Sequence, residues 1–137
     1  MPAKDTYHDA IRRALVKDGW TITDDPFRLV WGERDFYVDL GAERVVAAEK
    51  AGKRIAVEVK SFVGASQMRD LELALGQFLL YRSILEEQEP DRALFLAIPS
   101  EPADFLDEPV GQLLIDKHLL QVIIFDPHKE EILRWIP

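Results

Sequence analysis

The sequence contains no cysteine. This absence excludes disulfide bonds, cysteine-ligated zinc sites and thiol catalysis, and it is typical of a cytoplasmic protein. No apolar run approaches the roughly 20 residues that a membrane-spanning helix needs. The first ten residues also lack the apolar core of a signal peptide. We therefore expect a cytoplasmic protein that has no membrane segment and is not exported.

Histidine is scarce, and a glycine-rich phosphate loop is absent. His118 and His128 lack the spacing of a ligand pair with other histidines. Residues 41–54, GAERVVAAEKAGKR, lack the glycines and the GK[ST] ending of a phosphate-binding loop. Internal repeats and low-complexity tracts are also missing. The chain of 137 residues predicts one domain, 1–137, with a hydrophobic core.

Negative charge is present in excess, but it is concentrated in one part of the chain. The net charge is −8, which argues against a protein that coats DNA nonspecifically. Residues 1–85 contain 13 basic and 13 acidic side chains, whereas residues 86–109 contain eight acids and a single base, Arg92. The first 85 residues can therefore present a locally basic surface despite the overall charge.

The hydrophobic pattern predicts two long helices and several strands. A helix is expected over residues 3–18, ended by Gly19, and a second over 67–87, with Ser66 as its N-cap. The apolar stripe of the second helix is predicted at Met68, Leu71, Leu75, Phe78, Leu79 and Leu85. The strand-like runs are WTIT, RLVW, RDFYVDL, ERVVAAE, KRIAVEVKSF, RALFLAI, LQVIIF and EILRWI, with a hairpin at KAG and a short helix at VGQLLIDKHL. This order predicts a mixed sheet flanked by helices, an α/β or α+β fold.

One strand-like run, RIAVEVKSF, carries two opposite charges in an apolar setting. Alternation places Ile55, Val57 and Val59 on one face, and Ala56, Glu58, Lys60 and Phe62 on the other. A solvated face on which the two charges pair with neighbours is one interpretation. Partial burial between Ala56 and Phe62 is the other, and a charge in such a place requires a partner or a metal ion.

The second interpretation points to hydrolysis of a phosphodiester. Carboxylates from neighbouring strands can hold Mg²⁺ or Mn²⁺, and a nearby lysine can position a water or neutralise charge on a phosphate. Glu58 and Lys60 would supply one carboxylate and the ammonium. The second carboxylate is Asp39 or Glu43. We favour Asp39, although a simple hairpin at KAG would place Glu43 nearly opposite Lys60.

Asp39 followed by Glu58 and Lys60 resembles the PD-(D/E)XK, or restriction-endonuclease-like, nuclease superfamily. Across nearly the whole chain, a longer collinear pattern is similar to the XisH family, the cyanobacterial controlling factor of fdxN element excision. That pattern consists of MPAKDTYHDAIRRALVKDGWTIT, FYVDLGAE, IAVEVKSFVGAS, ALGQFLLYR, FLAIP and ILRWIP.

The resemblance implies a restriction-endonuclease-like fold and a role in regulated DNA excision during heterocyst development. It implies DNA, an XisI-like protein and a site-specific recombinase as partners in that process. It also implies a Mg²⁺- or Mn²⁺-dependent nuclease site, with Asp39 and Glu58 as metal ligands and Lys60 as a catalytic residue. A non-catalytic regulatory subunit that acts through the XisI-like partner is the alternative.

The resemblance also directs attention to both long helices. In related nucleases the first helix can offer an acid to the site, but His8 and Asp9 occupy that region here, and His8 is expected at the surface or at a helix cap. Gln77 resembles a polar residue of the second helix that faces the active site, and a solvated helix position is its alternative. Trp20, Trp31 and Trp135 are expected in the core or at an interface. A homodimer would use the apolar C-terminal region from LQVIIF to EILRWIP.

Overall fold

The computed structural model describes residues 7–38, 40–44, 52–62 and 66–137; for residues 38 and 40–44 only the backbone is described. Three α-helices and a short 3₁₀ helix accompany eight strands in this part of the chain. The helices are α1 (His8–Lys17), α2 (Gln67–Gln88), η1 (Pro102–Asp107) and α3 (Pro109–Asp116). The strands are β1 (Thr21–Asp24), β2 (Phe27–Trp31), β3 (Arg34–Val38), β4 (Leu40–Arg44), β5 (Lys53–Val59), β6 (Arg92–Pro99), β7 (Val122–Asp126) and β8 (Glu131–Ile136).

Six of the strands form a mixed sheet in the order β1-β4-β5-β6-β7-β8. The central strands β5, β6 and β7 are parallel, and the outer pairings β1·β4, β4·β5 and β7·β8 are antiparallel. The continuous apolar runs of β6 and β7 suit this central position, because parallel strands are covered on both faces. The predicted mixed sheet with flanking helices, an α+β arrangement, is confirmed.

Two hydrophobic clusters lie on opposite faces of this sheet. On one face α1 packs through Ile11 and Leu15 against Ile55, Val57 and Val59 of β5. On the other face a larger cluster includes Ala56 and Phe62 together with α2, η1, α3 and the β2–β3 hairpin. The predicted division of the β5 side chains between two faces is therefore confirmed.

The helix ends follow the local signals in the sequence. Gly19 adopts a φ of 94°, a left-handed conformation that glycine tolerates at a helix end. Ser66 caps α2, because its side-chain oxygen accepts a hydrogen bond of 3.2 Å from the backbone N–H of Arg69. The predicted stripe of α2 is wrong at Met68, whose side chain is exposed, whereas Leu71, Phe78 and Leu85 are buried.

The stretch RDFYVDL does not form one strand. Its first part is β3, which pairs only with β2 in a separate two-stranded sheet, and its last residue begins β4 in the main sheet. The β2–β3 hairpin packs on α2, where the rings of Phe36 and Tyr81 are 6.1 Å apart. Most of the predicted strand ERVVAAE, from residue 45 onward, and Lys50 and Ala51 of the predicted KAG turn lie outside the described residues, but β4 and β5 pair antiparallel.

Candidate active site at the carboxyl end of β5

The candidate site lies where β5 ends. Glu58 is the penultimate residue of this strand, and Lys60 is the first residue after the strand. The backbone N–H of Lys60 donates a hydrogen bond of 3.0 Å to the carbonyl of Ala97, so pairing with β6 continues one residue beyond the strand. The backbone at Glu58 and at Lys60 is therefore held by pairing with a neighbouring strand.

Glu58 and Lys60 form an ion pair in a partly covered setting. The ammonium nitrogen of Lys60 lies 3.6 Å from Oε1 of Glu58. Glu58 is only 7% exposed, whereas the side chain of Lys60 is 32% exposed. A fully solvated face is therefore wrong for Glu58, and the carboxylate is held close to a cation that still reaches solvent.

Phe62 turns the chain at the edge of this site. Its φ of 55° is uncommon for a residue with a bulky side chain. The side chain is buried and its ring lies 5.1 Å from that of Phe105 in η1. Further along, Nε2 of Gln67 donates a 3.3 Å hydrogen bond to the carbonyl of Pro102. Phe62 and Gln67 therefore both contact η1.

The register of β4 separates the two candidates for the second carboxylate. Glu43 pairs with Arg54 rather than lying opposite Lys60, so the register that favoured it is wrong. Arg54 is four residues from Glu58, about 13 Å along the strand. Asp39 lies outside the described residues, but Leu40, the next residue, pairs with Val57, which precedes Glu58.

Gln77 lies on α2, immediately before the buried Phe78, and its own side chain is exposed. Its role at the site stays a prediction. Among the described residues, no group of three or more histidine or carboxylate side chains could hold a metal ion. Within those residues Glu58 supplies the carboxylate of this site, and a metal ion would need a further ligand from elsewhere in the chain.

A polar cluster that the sequence pattern did not reveal lies at the same end of the sheet. His8 is buried, contrary to the expectation of a surface or capping position, and its Nε2 lies 2.9 Å from Oδ1 of Asp25. Arg12 donates to the other oxygen of the same carboxylate. Asp24 pairs with Gly41, which pairs with Ala56, so the β1 backbone beside this cluster lies two strands from that of β5, about 10 Å across the sheet. The 17-residue separation of His8 and Asp25 gave no signal in the sequence.

The acidic segment 86–109 is divided by β6 into two groups at opposite ends of that strand. Its single base, Arg92, is buried: it donates hydrogen bonds to the carbonyl of Ile55 at 2.9 Å and to Glu89 at 3.2 Å. Its guanidinium also lies 4.6 Å from the centre of the Phe27 ring. The group that follows β6 consists of exposed carboxylates at the same end of the sheet as Glu58. They are Glu101, Asp104, Asp107 and Glu108.

Two further predictions concern the C-terminal dimer interface and the tryptophans. Val122, Ile123 and Phe125 of β7 are buried inside the sheet, so the LQVIIF half of the expected C-terminal dimer interface is not available to a second copy. Trp20 lies in the core, but Trp31 is 52% exposed at the end of β2. Among the described residues, no helix is long and apolar enough to cross a bilayer.

Comparison with known proteins gives consistent matches. The family described as XisH protein matches residues 1–133. A crystal structure of an XisH family protein from Nostoc punctiforme is 36% identical, with a TM-score of 0.86, covering 97% of this chain and 100% of that chain. A crystal structure of an fdxN element excision controlling factor protein from Anabaena variabilis is also 36% identical, with a TM-score of 0.85, covering 98% and 100%. No curated protein matches the chain.

Proposed function

Because this chain belongs to the XisH family, we propose that it controls the site-specific excision of a DNA element, the role for which its Anabaena variabilis relative is named. We further propose that it acts as a metal-dependent endonuclease of the PD-(D/E)XK type. The observation that carries this proposal is the buried Glu58, with Lys60 3.6 Å away, at the end of a central strand.

Glu58 fits a site for a hard divalent cation if Asp39 supplies the second carboxylate ligand. Mg²⁺ and Mn²⁺ prefer oxygen ligands, and Glu58 offers a carboxylate at the right strand end. Asp39 is favoured over Glu43 because its neighbour Leu40 pairs with Val57, whereas Glu43 pairs with Arg54. We assign Asp39 and Glu58 as the metal ligands on this basis.

The site residues would then divide the chemistry between them. A bound divalent cation lowers the pKa of a coordinated water and polarises a phosphoryl oxygen. Glu58 orients its carboxylate from a strand fixed on both sides, while Lys60 offers a partly exposed ammonium to a phosphate or an attacking water. Gln77, on the exposed side of α2, is the remaining candidate, as a residue that positions substrate.

A cleavage assay tests the proposal. Purified protein is incubated with supercoiled, linear and branched DNA and with Mg²⁺ or Mn²⁺. We expect cleavage that falls by about 100-fold or more in Glu58→Gln, Lys60→Met and Asp39→Asn. Lys53→Met and Glu131→Gln are matched controls, because Lys53 is exposed at the other end of β5 and Glu131 on β8. Absence of cleavage on every substrate, or cleavage that survives Glu58→Gln, would contradict it.

Thermal unfolding with and without Mn²⁺ tests the ligands independently of activity. A cation that binds the folded state stabilises it by about 2.7 kcal/mol at 100 times its dissociation constant. We expect a higher melting temperature with Mn²⁺ in the wild type and in Glu43→Gln, and no such increase in Glu58→Gln or Asp39→Asn. An increase lost in Glu43→Gln but kept in Asp39→Asn would reverse our assignment.

A non-catalytic regulatory role is the second candidate, and the exposed acidic group after β6 favours it. Carboxylates at the same end of the sheet as Glu58 oppose a DNA backbone electrostatically and suit a basic protein partner. Co-purification with an XisI-like protein that is unchanged in the Glu58→Gln, Lys60→Met double variant, together with no cleavage, would support this role. Loss of the complex on adding divalent cations and DNA would favour the nuclease.

A further inference from the structure

Helix α2 carries apolar side chains on two opposite sides. Leu71, Phe78 and Leu85 are buried against the sheet. Leu73 and Leu80, on the other side, are 59% and 46% exposed. A helix that is apolar on both sides is normally covered on both. Within the described chain the leucines of the second side stay largely exposed.

The exposed side forms a regular seam, which we call the outer stripe. Its residues recur at alternating spacings of four and three, the heptad spacing that lets two helices pack along their length. At 100° per residue they lie opposite the buried face. The outer stripe consists of Arg69, Leu73, Gly76, Leu80, Ser83 and Glu87, all exposed.

The outer stripe of one copy is complementary to the outer stripe of a second copy that runs antiparallel to it. Arg69 and Glu87 are each nine residues from Phe78, at opposite ends. Gly76 and Leu80 are each two residues from it. In an antiparallel pair of α2 helices centred on Phe78, Arg69 therefore faces Glu87 of the second copy, and Leu80 faces Gly76. A two-fold axis repeats each of these contacts.

Gly76 leaves the space that such a pairing needs. A Cβ atom built at this position meets nothing within 4 Å. The helix surface is therefore open at the point where a second helix would come closest. Leu80 of the second copy can enter this opening, as a knob enters a hole between packed helices.

A cavity beside the outer stripe accepts the remaining leucine. Its lining is mainly apolar and consists of Trp31, Arg34 and Phe36 of the β2–β3 hairpin, together with Leu80, Ser83, Ile84 and Glu87 of α2. In the antiparallel arrangement Leu73 of the second copy lies opposite Ser83, because both are five residues from Phe78. The most exposed leucine of α2 thus lies opposite an apolar cavity of its symmetry mate, with Glu87 at the cavity wall to meet Arg69.

We propose that this protein forms a two-fold homodimer through the outer stripe of α2, with Leu73 of each copy seated between α2 and the β2–β3 hairpin of the other. We assign a second copy as the partner of the outer stripe because Arg69 meets Glu87, and Leu80 meets Gly76, when two copies of the stripe run antiparallel. This dimer replaces the C-terminal interface expected from the sequence, and it does not depend on the nuclease activity proposed above.

Sedimentation velocity over a concentration series up to about 100 µM tests the proposal. We expect a dimer whose dissociation constant rises about 100-fold or more in Leu73→Asp, since a shorter, hydrated carboxylate would replace the leucine in a cavity whose lining is mainly apolar. Leu113→Asp is the matched control: Leu113 is 51% exposed on α3, and its substitution leaves the dimer unchanged. A monomer throughout the series, or a dimer indifferent to Leu73→Asp, would overturn the proposal.

A charge exchange tests the orientation of the helices. Arg69→Glu and Glu87→Arg each place like charges opposite one another and weaken the dimer by about tenfold. The double variant restores the opposite charges and recovers the wild-type dissociation constant. Circular dichroism confirms that each variant folds. Additive weakening in the double variant would exclude the antiparallel pairing.

The absence of cysteine allows a direct proximity test. A single cysteine replaces Leu80 in one variant and Leu113 in another, and each is treated with a short bis-maleimide. Cysteines at position 80 flank the two-fold axis and become linked in pairs, whereas cysteines at position 113 do not. Linkage at position 113 with none at position 80 would place the contact elsewhere and overturn the proposal.

Discussion

Lys60 Nζ and Glu58 Oε1 are 3.6 Å apart, and both residues project from the same side of β5 at its carboxyl end. The carboxylate is almost wholly buried, whereas the ammonium is partly exposed. Burial strengthens the attraction between such charges, because less water screens them. The pair therefore has a measurable energy in the protein as well as a proposed part in its chemistry.

A double-mutant cycle with Glu58→Gln and Lys60→Met measures that energy. We expect a coupling of about 0.5–1.5 kcal/mol in the free energy of unfolding, since one partner is buried and the other is not. Urea unfolding of the four proteins gives the value. The pair Arg82 and Glu86, 3.8 Å apart on α2 with its carboxylate exposed, is the control and should couple by less than about 0.5 kcal/mol. Equal couplings would mean that the buried setting of Glu58 adds nothing.

Removing the charge of Asp25 should destabilise the protein. Its carboxylate accepts from Nε2 of the buried His8 and from Arg12, so Asp25→Asn removes a charged acceptor from both. We expect a loss of about 1–3 kcal/mol in the free energy of unfolding, measured by urea denaturation. Asp24→Asn, one residue earlier and exposed, should change it by less than about 0.5 kcal/mol. Comparable losses from the two variants would show that the buried contact is unimportant.

Gly111 has no room for a side chain. A Cβ atom here would overlap the backbone of Phe105 and Leu106, including the Leu106 carbonyl carbon at 2.9 Å, because α3 packs closely on η1. We expect Gly111→Ala to lower the free energy of unfolding by about 1–3 kcal/mol.

Gly76→Ala provides the contrast for Gly111. The added methyl group occupies open space on the surface of α2, so this substitution should raise the free energy of unfolding by about 0.5–1 kcal/mol. The measurement belongs in the Leu73→Asp background, where self-association does not contribute. If Gly111→Ala leaves the free energy of unfolding unchanged, α3 can move away from η1 at little cost.

Asp126 should make the turn between β7 and β8 sensitive to acid. Backbone hydrogen bonds from Lys129 and then His128 lower the pKa of this carboxyl below its ordinary value of 3.8. A lowered pKa in the folded state means that the ionised form stabilises the turn. This contribution is complete above the ordinary pKa and is lost as the pH falls through the lowered value.

The comparison of wild type with Asp126→Asn by urea unfolding measures this effect. The difference in the free energy of unfolding should stay constant from neutral pH down to about pH 5 and shrink below about pH 4. Asp107→Asn, an exposed carboxyl in η1, is the control. A difference that does not change with pH would contradict the assignment of the shift to Asp126.

The sequence predicted the elements whose signals are local. The spacing of Leu71, Phe78 and Leu85, together with the cap at Ser66, was enough to place α2. The continuous apolar run of β6 likewise predicted a strand covered on both faces, because few other positions in a fold tolerate such a run. Alternation along β5 correctly separated Val57 from Glu58.

Features that depend on distant pairing could not be predicted. RDFYVDL reads as one strand, but β3 belongs to a different sheet from β4, and no local signal marks the change. The register of Glu43 depends on how the chain passes from β4 to β5, and a one-residue change in that path moves every side chain to the other face. His8 and Asp25 meet only because α1 folds back over the end of β1.

The burial of Arg92 changes how the acidic segment presents itself to other molecules. The guanidinium is fully engaged by Ile55, Glu89 and Phe27, so the segment's single positive charge is withdrawn from the solvent. An approaching polyanion therefore meets, in the part of the segment that follows β6, exposed carboxylates with no basic residue among them in residues 101–108. The repulsion extends over a distance of about 8–10 Å at physiological salt. A nucleic acid that reaches Glu58 would have to approach from a side of the site that these carboxylates do not line, so electrostatic repulsion restricts its direction of approach.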